Sequence, residues 1–347
     1  MRKYLLPKDG SFYKANLHCH STFSDGKKTP AELKQMYMDE GYSVVAFSDH
    51  NIFVCHNNEL TDENFVALNA TEINLCETDE NGTVLPFLDK KSVHLGLIAK
   101  DPSNRKHPLY HRTKYGPNDR VKDIVNQEFY EEDEDFERSF TTECVNAAIK
   151  KAKDRGFFVI YNHPTWSLNG YEHYSTYEGM DAMEMFNYHN YVVGYPEYNP
   201  RVYDDLLRQN KRIFCVSADD NHNGTQDSFG GFIMIKADKL EYKAITKALE
   251  NGDFYASFGP IIKDIWYEDK KICIDCEDAA RVQFNTAITL AYSVKAKDGV
   301  PVTHAEFPLD PTYGYVRITV VGKNGMKANT NTFFLDELMK DDMEVSE

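Results

Sequence analysis

The chain has 347 residues, enough for one large domain or a barrel with a smaller partner, and 41% of them are apolar, with 22 Tyr and 21 Phe to fill a core. A formal net charge of −16 excludes a protein that coats duplex nucleic acid, because neutralising phosphate backbones needs a basic surface. A small phosphorylated ligand stays possible if bound cations supply positive charge.

Taken from the start, Met1-Arg2-Lys3-Tyr4-Leu5-Leu6-Pro7 is too short and too soon broken by proline to act as a signal peptide. No run of ~18 apolar residues follows, so no membrane span is expected. Seven scattered cysteines, an odd number, suit reduced thiols and a cytoplasmic setting. Cys273 and Cys276 form a lone C-x-x-C without a second pair and are read as strand residues.

From 14 to 258, short apolar runs alternate with amphipathic segments. Strands are predicted over 14–20, 42–48, 64–71, 92–99, 157–162, 181–187 and 212–217. A helix is signalled by the capping box Thr29-Pro30-Ala31-Glu32 and ended by Gly41; others run from about Thr141 to Arg155 and over about 238–250. This alternation predicts parallel strands in a closed or nearly closed barrel. Residues 100–138 interrupt it with Pro102, Pro108, Pro117, a basic cluster that includes Arg105, Arg112 and Arg120, and an acidic run from Glu131. That insertion is either a lid or a disordered excursion. Beyond Phe258-Gly259-Pro260 the pattern turns to period two without helices until about Asn331–Met339, which predicts a small antiparallel β-sandwich over 259–347.

Candidate ligands fall at the ends of these strands. His18 and His20 lie two apart on an extended segment and so share a face; Asp25 follows in the loop. His50, Glu72, His94, His163, Asp220 and His222 each sit in a later strand or just past one. In a parallel barrel the C-terminal strand ends converge on one face. Six imidazoles and three carboxylates are too many for one ion, so the pattern predicts two or three divalent metals, with Mn, Fe and Zn all compatible with such donors. Cys19 should face the helices instead, and Asp49 is read as a brace for its loop. For substrate contacts, Asn187 and His189 follow the one strand without a ligand, Trp166 is placed to stack on a ring, and Arg105 and Arg112 could reach in as phosphate donors.

The same residues carry a resemblance. Leu17-His18-Cys19-His20-Ser21, Ser24-Asp25-Gly26, Ser48-Asp49-His50, Thr71-Glu72, His94, Asn162-His163-Pro164 and Asp220-Asn221-His222 resemble the ordered motifs of the PHP (polymerase and histidinol phosphatase) family over residues ~14–258. The resemblance implies a distorted (β/α)7 TIM-like barrel over 1–258 with a trinuclear centre that hydrolyses phosphoesters, followed by the sandwich. It places His18, His20, Glu72 and Asp220 on one metal. Glu72 would bridge to a second held by His94 and His163, and Asp25, His50 and His222 would hold a third. Glu72, Asp220 and His222 are then the expected catalytic residues, and the expected reaction is attack on phosphorus by a metal-activated hydroxide. Three rival readings are a non-phosphate metallohydrolase of amidohydrolase type, a non-catalytic metal-binding module, and a polymerase-associated proofreading nuclease, against which the acidic charge and the lack of a polymerase segment argue.

Overall fold

The structure, a computed structural model, describes residues 2–80, 83, 85, 91–116, 121–122, 127–340 and 342. Pro117 and Arg120 of the insertion and the end of the tail lie outside the described residues.

Seven strands form a curved arc: β1 (Ser11–Cys19), β2 (Val44–Phe47), β3 (Val66–Cys76), β4 (Ser92–Ala99), β5 (Phe157–Tyr161), β6 (Ala182–Asn187) and β7 (Phe214–Ala218). Their hydrogen-bonded order follows the chain. β1, β2 and β3 are parallel neighbours, as are β5, β6 and β7. β4 runs against both β3 and β5, which corrects the expectation of seven parallel strands. A parallel return needs a crossover of a dozen or more residues, usually helical. No helix lies between Cys76 and Ser92 among the described residues, so the chain comes back as a hairpin.

The barrel expectation is also corrected, because the strand ladder does not close. β7 and β1 are not paired strands; instead the chain just past β7 docks on the end of β1. Asp220 donates its amide to the His18 carbonyl (2.9 Å), His20 donates to the Asn221 carbonyl (3.2 Å), and Cys19 and Asn221 form a single bridge. Beyond β1 the sheet continues antiparallel through β8 (Phe232–Ala237) and β9 (Phe254–Ser257) into the tail. The result is a mixed α/β structure built on a 14-stranded sheet. Just before β8, Gly231 passes so near β7 that a Cβ there would sit 2.2 Å from the Ala218 carbonyl oxygen.

Helices cover the outside of the arc. α1 (Pro30–Asp39) begins with the expected reciprocal cap: the Glu32 amide donates to Thr29 Oγ1 at 3.3 Å and the Thr29 amide to Glu32 Oε2 at 2.8 Å. α2 (Thr142–Asp154), α3 (Pro200–Arg208) and α4 (Tyr242–Asn251) follow. The apolar faces of α2, α3 and α4 share one core with the arc, rich in Val, Leu, Ile and Phe, while Leu33 and Tyr37 of α1 pack in a separate cluster with Val45 and Phe47. Among the described residues no helix is long and apolar enough to cross a membrane.

The tail makes two packed antiparallel sheets around a second core. One contains Lys3–Tyr4, β10 (Ile262–Glu268), β11 (Lys271–Ala279) and β14 (Val302–Pro308). The other contains β12 (Arg281–Thr286), β13 (Ala291–Lys295), β15 (Tyr315–Val321) and β16 (Lys327–Thr330), and β16 pairs with β9. The two-layer sandwich is thus continuous with the arc through one of its sheets. Cys273 and Cys276 lie in β11. Near the end, the helix expected over about Asn331–Met339 begins later: Phe333–Phe334 pairs with β15 and Leu335–Leu338 is helical.

The described part of the insertion is ordered against the body. Leu109 is fully buried, the Tyr110 and Phe129 rings stack at 4.6 Å, and His107 Nε2 lies 3.2 Å from the Asn51 carbonyl oxygen.

A candidate metal centre at the mouth of the arc

The alternation of β1 carries His18 and His20 to one face, with their Nε2 atoms 3.1 Å apart. Cys19 points the other way and packs with Leu33 and Tyr37 of α1; burial pushes its thiol pKa well up. Asp220, delivered by the docked segment after β7, comes within 3.2 Å of His18 Nε2 and 3.0 Å of His20 Nε2.

Glu72, fully buried in β3, is the centre of the cluster. Its Oε1 lies 3.1 Å from both His94 Nδ1 and His163 Nε2 and accepts from Asn162 Nδ2 at 2.8 Å. Its Oε2 lies 2.9 Å from His50 Nδ1. Because β4 is reversed, His94 reaches this face from the beginning of its strand. Burial alone would raise the Glu72 pKa, but His94, His18, His50 and His163 hold it well below the ordinary carboxylate range. At the outer edge, Asp25 Oδ2 is 3.5 Å from His222 Nε2 and 3.6 Å from His50 Nε2.

The imidazoles divide according to their neighbours. Burial would lower His163 and His222, yet the hydrogen bonds and charges of Glu72 and Asp220 on the first, and of Asp25 and Asp220 on the second, carry each up to about 9. His20 is driven down to about 3, first by burial and then by His222 and His50.

A layer of buried acids and amides fixes these groups. Glu184 Oε1 takes His18 Nδ1 at 2.7 Å, while its Oε2 accepts the His163 amide and Asn187 Nδ2, each at 2.9 Å. Asp49 accepts from the Ser21 amide and from both the Ser21 and Ser24 hydroxyls, at 2.7–2.8 Å. It therefore braces the loop that carries His20 and Asp25. Asp219 accepts three successive amides, of Phe229, Gly230 and Gly231, and the Tyr37 hydroxyl; burial pushes it up to about 6. Two ligand candidates, His163 (φ 23°) and Asp220 (φ 54°), sit in the left-handed region. Such backbone costs of order 1–3 kcal/mol and persists where the surroundings over-determine it.

The nine sequence-predicted ligands thus form one cluster. Sets of donor atoms lying within 4.8 Å of one another include His18, His20 and Asp220; His18, Glu72 and His163; His50, Glu72 and His94; and His20, Asp25, His50 and His222. Imidazole nitrogen and carboxylate oxygen bind divalent ions at about 2.0–2.2 Å, so pairs this close can share one. A further observation fits a metal: His50 Nδ1 and Glu72 Oε2 are buried and face each other at 2.9 Å without the alignment of a hydrogen bond. Their lone pairs are available to a cation.

The cluster floors a cleft of about 550 Å³. Trp166 lines it, with its ring 5.2 Å from His94 and 4.9 Å from His163, and so does His189, held by Asp227 at 2.9 Å. Asn187 does not. It is fully buried, spans Glu184 and Asp220 (2.9 and 3.1 Å), and caps the helix Tyr188–Val192 by accepting the Asn190 amide. Arg105 and Arg112 do not either. Arg105 faces Glu128 at 3.6 Å, and Arg112 is bonded to Asp135 within the insertion. None of the described residues of 100–138 lines the cleft.

No protein-family model and no curated protein matches the chain. Among solved structures it is similar to a two-domain protein containing a predicted PHP-like metal-dependent phosphoesterase from Bacteroides vulgatus. That match has 15% identity, covers 95% of this chain and 98% of that one, and has a TM-score of 0.45. It is also similar to a candidate metal-dependent phosphoesterase from Bifidobacterium adolescentis (18% identity, 65% and 92% covered, TM-score 0.36). A third match is an amidohydrolase from Chromobacterium violaceum with bound sulfate and no metal (13% identity, 61% and 89% covered, TM-score 0.34). Chemistry has to be read from the cleft's own residues.

Proposed function

We propose that this chain hydrolyses the phosphoester bond of a small phosphorylated substrate with two or three divalent cations held by His18, His20, Asp25, His50, Glu72, His94, His163, Asp220 and His222. In this reading the seven scattered cysteines, an odd number, support a cytoplasmic setting. The observation that carries it is the convergence on Glu72, whose two oxygens face His94 and His163 on one side and His50 on the other.

Bound cations would supply a water of lowered pKa and positive charge against the phosphoryl oxygens. The chain's own part is to present lone pairs and exclude bulk water. Glu184 fixes the proton of His18 on Nδ1, which turns the Nε2 lone pair to the cluster. The Asp220 carbonyl, 2.8 Å from His222 Nδ1, does the same for His222. Ser167 Oγ, 3.2 Å from His163 Nδ1, leaves that ring's Nε2 to Glu72 and a cation.

Full-length protein stripped with a chelator and reloaded with Mn²⁺, Fe²⁺ or Zn²⁺ should release inorganic phosphate from aryl phosphates. Glu72→Gln should lower the rate by about four decades, which corresponds to about 5.4 kcal/mol at 1.36 kcal/mol per tenfold. Hydrolysis of amide or lactone substrates with no phosphate release under any of these metals would replace the proposal with the amidohydrolase-type reading.

A further inference from the structure

The cleft is chemically lopsided. Its lining combines the ligand cluster with the large apolar groups of Trp166, Leu168 and Tyr195. Leu168 is 65% exposed and Tyr195 40% exposed. Large apolar groups so placed at the rim of a polar pocket mark a surface for a ligand's apolar part. Leu168 also has φ +56°, a conformation that costs a branched L-residue about 1–2 kcal/mol.

Equally informative is what the cleft lacks: among the described residues, no Lys or Arg lines it. The two arginines nearest in sequence logic, Arg105 and Arg112, are paired with acids of the insertion. Recognition of a second phosphate or of a polyphosphate tail rests on Arg forks and Lys charges placed away from the reacting centre. In a chain of net charge −16, cations held by the cluster would be the strong positive charge offered to a phosphoryl group by the described residues that line this cleft.

We infer that the substrate is a phosphomonoester with a single phosphoryl group on an aromatic or similarly flat apolar alcohol, the phosphoryl at the cluster and the leaving group against Trp166, Leu168 and Tyr195. This rests on the proposed phosphoester hydrolysis and adds its substrate class. In the step, water oxygen bonds to phosphorus, the bond from phosphorus to the ester oxygen breaks, and the leaving oxygen takes a proton. The products are inorganic phosphate and the free alcohol. Specificity lies in these apolar groups, since a hydrophobic contact discriminates by the area it covers.

The test uses the Mn²⁺-loaded full chain and inorganic phosphate release. kcat/KM is measured for phenyl phosphate, 2-naphthyl phosphate, a nucleoside 5′-monophosphate and the matching nucleoside 3′,5′-bisphosphate. The naphthyl ester should exceed the phenyl ester by about fivefold or more, from the added ring area at roughly 25 cal/mol per Å². The bisphosphate should be at least about tenfold poorer than the monophosphate. Leu168→Asn, which tolerates the same backbone, and Tyr195→Ala should each bring the naphthyl-to-phenyl ratio close to one. Calorimetric titration with 2-naphthol should show binding that Leu168→Asn weakens about fivefold. Turnover with no naphthyl preference, a ratio untouched by both variants, or preference for the bisphosphate would overturn the inference and leave phosphoester hydrolysis standing. No phosphate released from any ester would end the parent proposal and this inference together.

Discussion

Glu184 does not line the cleft, yet the structure gives it leverage over the candidate metal site. One carboxylate oxygen receives His18 Nδ1 at 2.7 Å, and the other accepts the His163 amide and Asn187 Nδ2 at 2.9 Å. Glu184→Gln keeps the shape and replaces one oxygen by a donor. If the remaining oxygen serves His163 and Asn187, the new NH₂ faces His18 Nδ1. The His18 proton must then move to Nε2, and the lone pair aimed at the cluster is lost. In the other orientation, the NH₂ faces two donors. Either way one charge-assisted bond goes, worth about 1.5–3 kcal/mol. Loss of a partner behind a metal-binding histidine costs about 10–100-fold in affinity, or about 1.4–2.8 kcal/mol, so the two estimates agree. Competition with a chromophoric chelator should show Mn²⁺ held 10–100-fold more weakly by Glu184→Gln, with circular dichroism confirming a native fold. A folded variant with wild-type Mn²⁺ affinity would refute the claim that Glu184 orients His18.

Other expectations follow from the same geometry. With their pKa raised from 6.5 to about 9 in the metal-free site, His163 and His222 contribute stability that is fully present below pH 6.5 and lost as pH rises through about 9. Cations need the deprotonated rings, so the rise in Tm on adding Mn²⁺ should be larger at pH 8 than at pH 6; a shift that shrinks with pH contradicts this. Arg317, buried in β15, grips Asp204 of α3 through Nε and Nη2 at 2.7 and 2.8 Å. Arg317→Ala should cost about 3–5 kcal/mol in denaturant unfolding by leaving Asp204 uncompensated, and a loss under 1 kcal/mol would show the pair to be unimportant. Arg105→Ala and Arg112→Ala should leave KM for an aryl phosphate within about twofold, because both side chains are engaged inside the insertion; a tenfold rise in either would place that arginine at the substrate.

The clustering of the nine histidines and acids was readable in the sequence because a polar residue at the end of an apolar strand has a single direction to point, and six strands supplied one. The reversal of β4 was not. The apolar pattern of Val-His-Leu-Gly-Leu fits a strand running in either direction, and the pairing that decides it is antiparallel to both neighbours. Glu184 was overlooked although it stands in Ala-Met-Glu-Met-Phe, where an acid inside a buried strand signals a fixed partner. Asn187 was assigned to the substrate because it follows that strand, whereas it ends β6 and turns inward as a cap. The partners of Arg105 and Arg112 lie 23 residues further along, at Glu128 and Asp135, beyond what local charge pattern reveals. The open ladder depends on how the segment after β7 meets β1, a contact between residues about 200 apart.

Everything functional depends on divalent ions occupying the space around Glu72. Anomalous diffraction at the manganese edge, from crystals grown with Mn²⁺, measures this directly. Two or three peaks within about 2.0–2.4 Å of Glu72, His18, His163 and their neighbours are the predicted result; a cluster with no peak, in crystals soaked to saturating Mn²⁺, would contradict it.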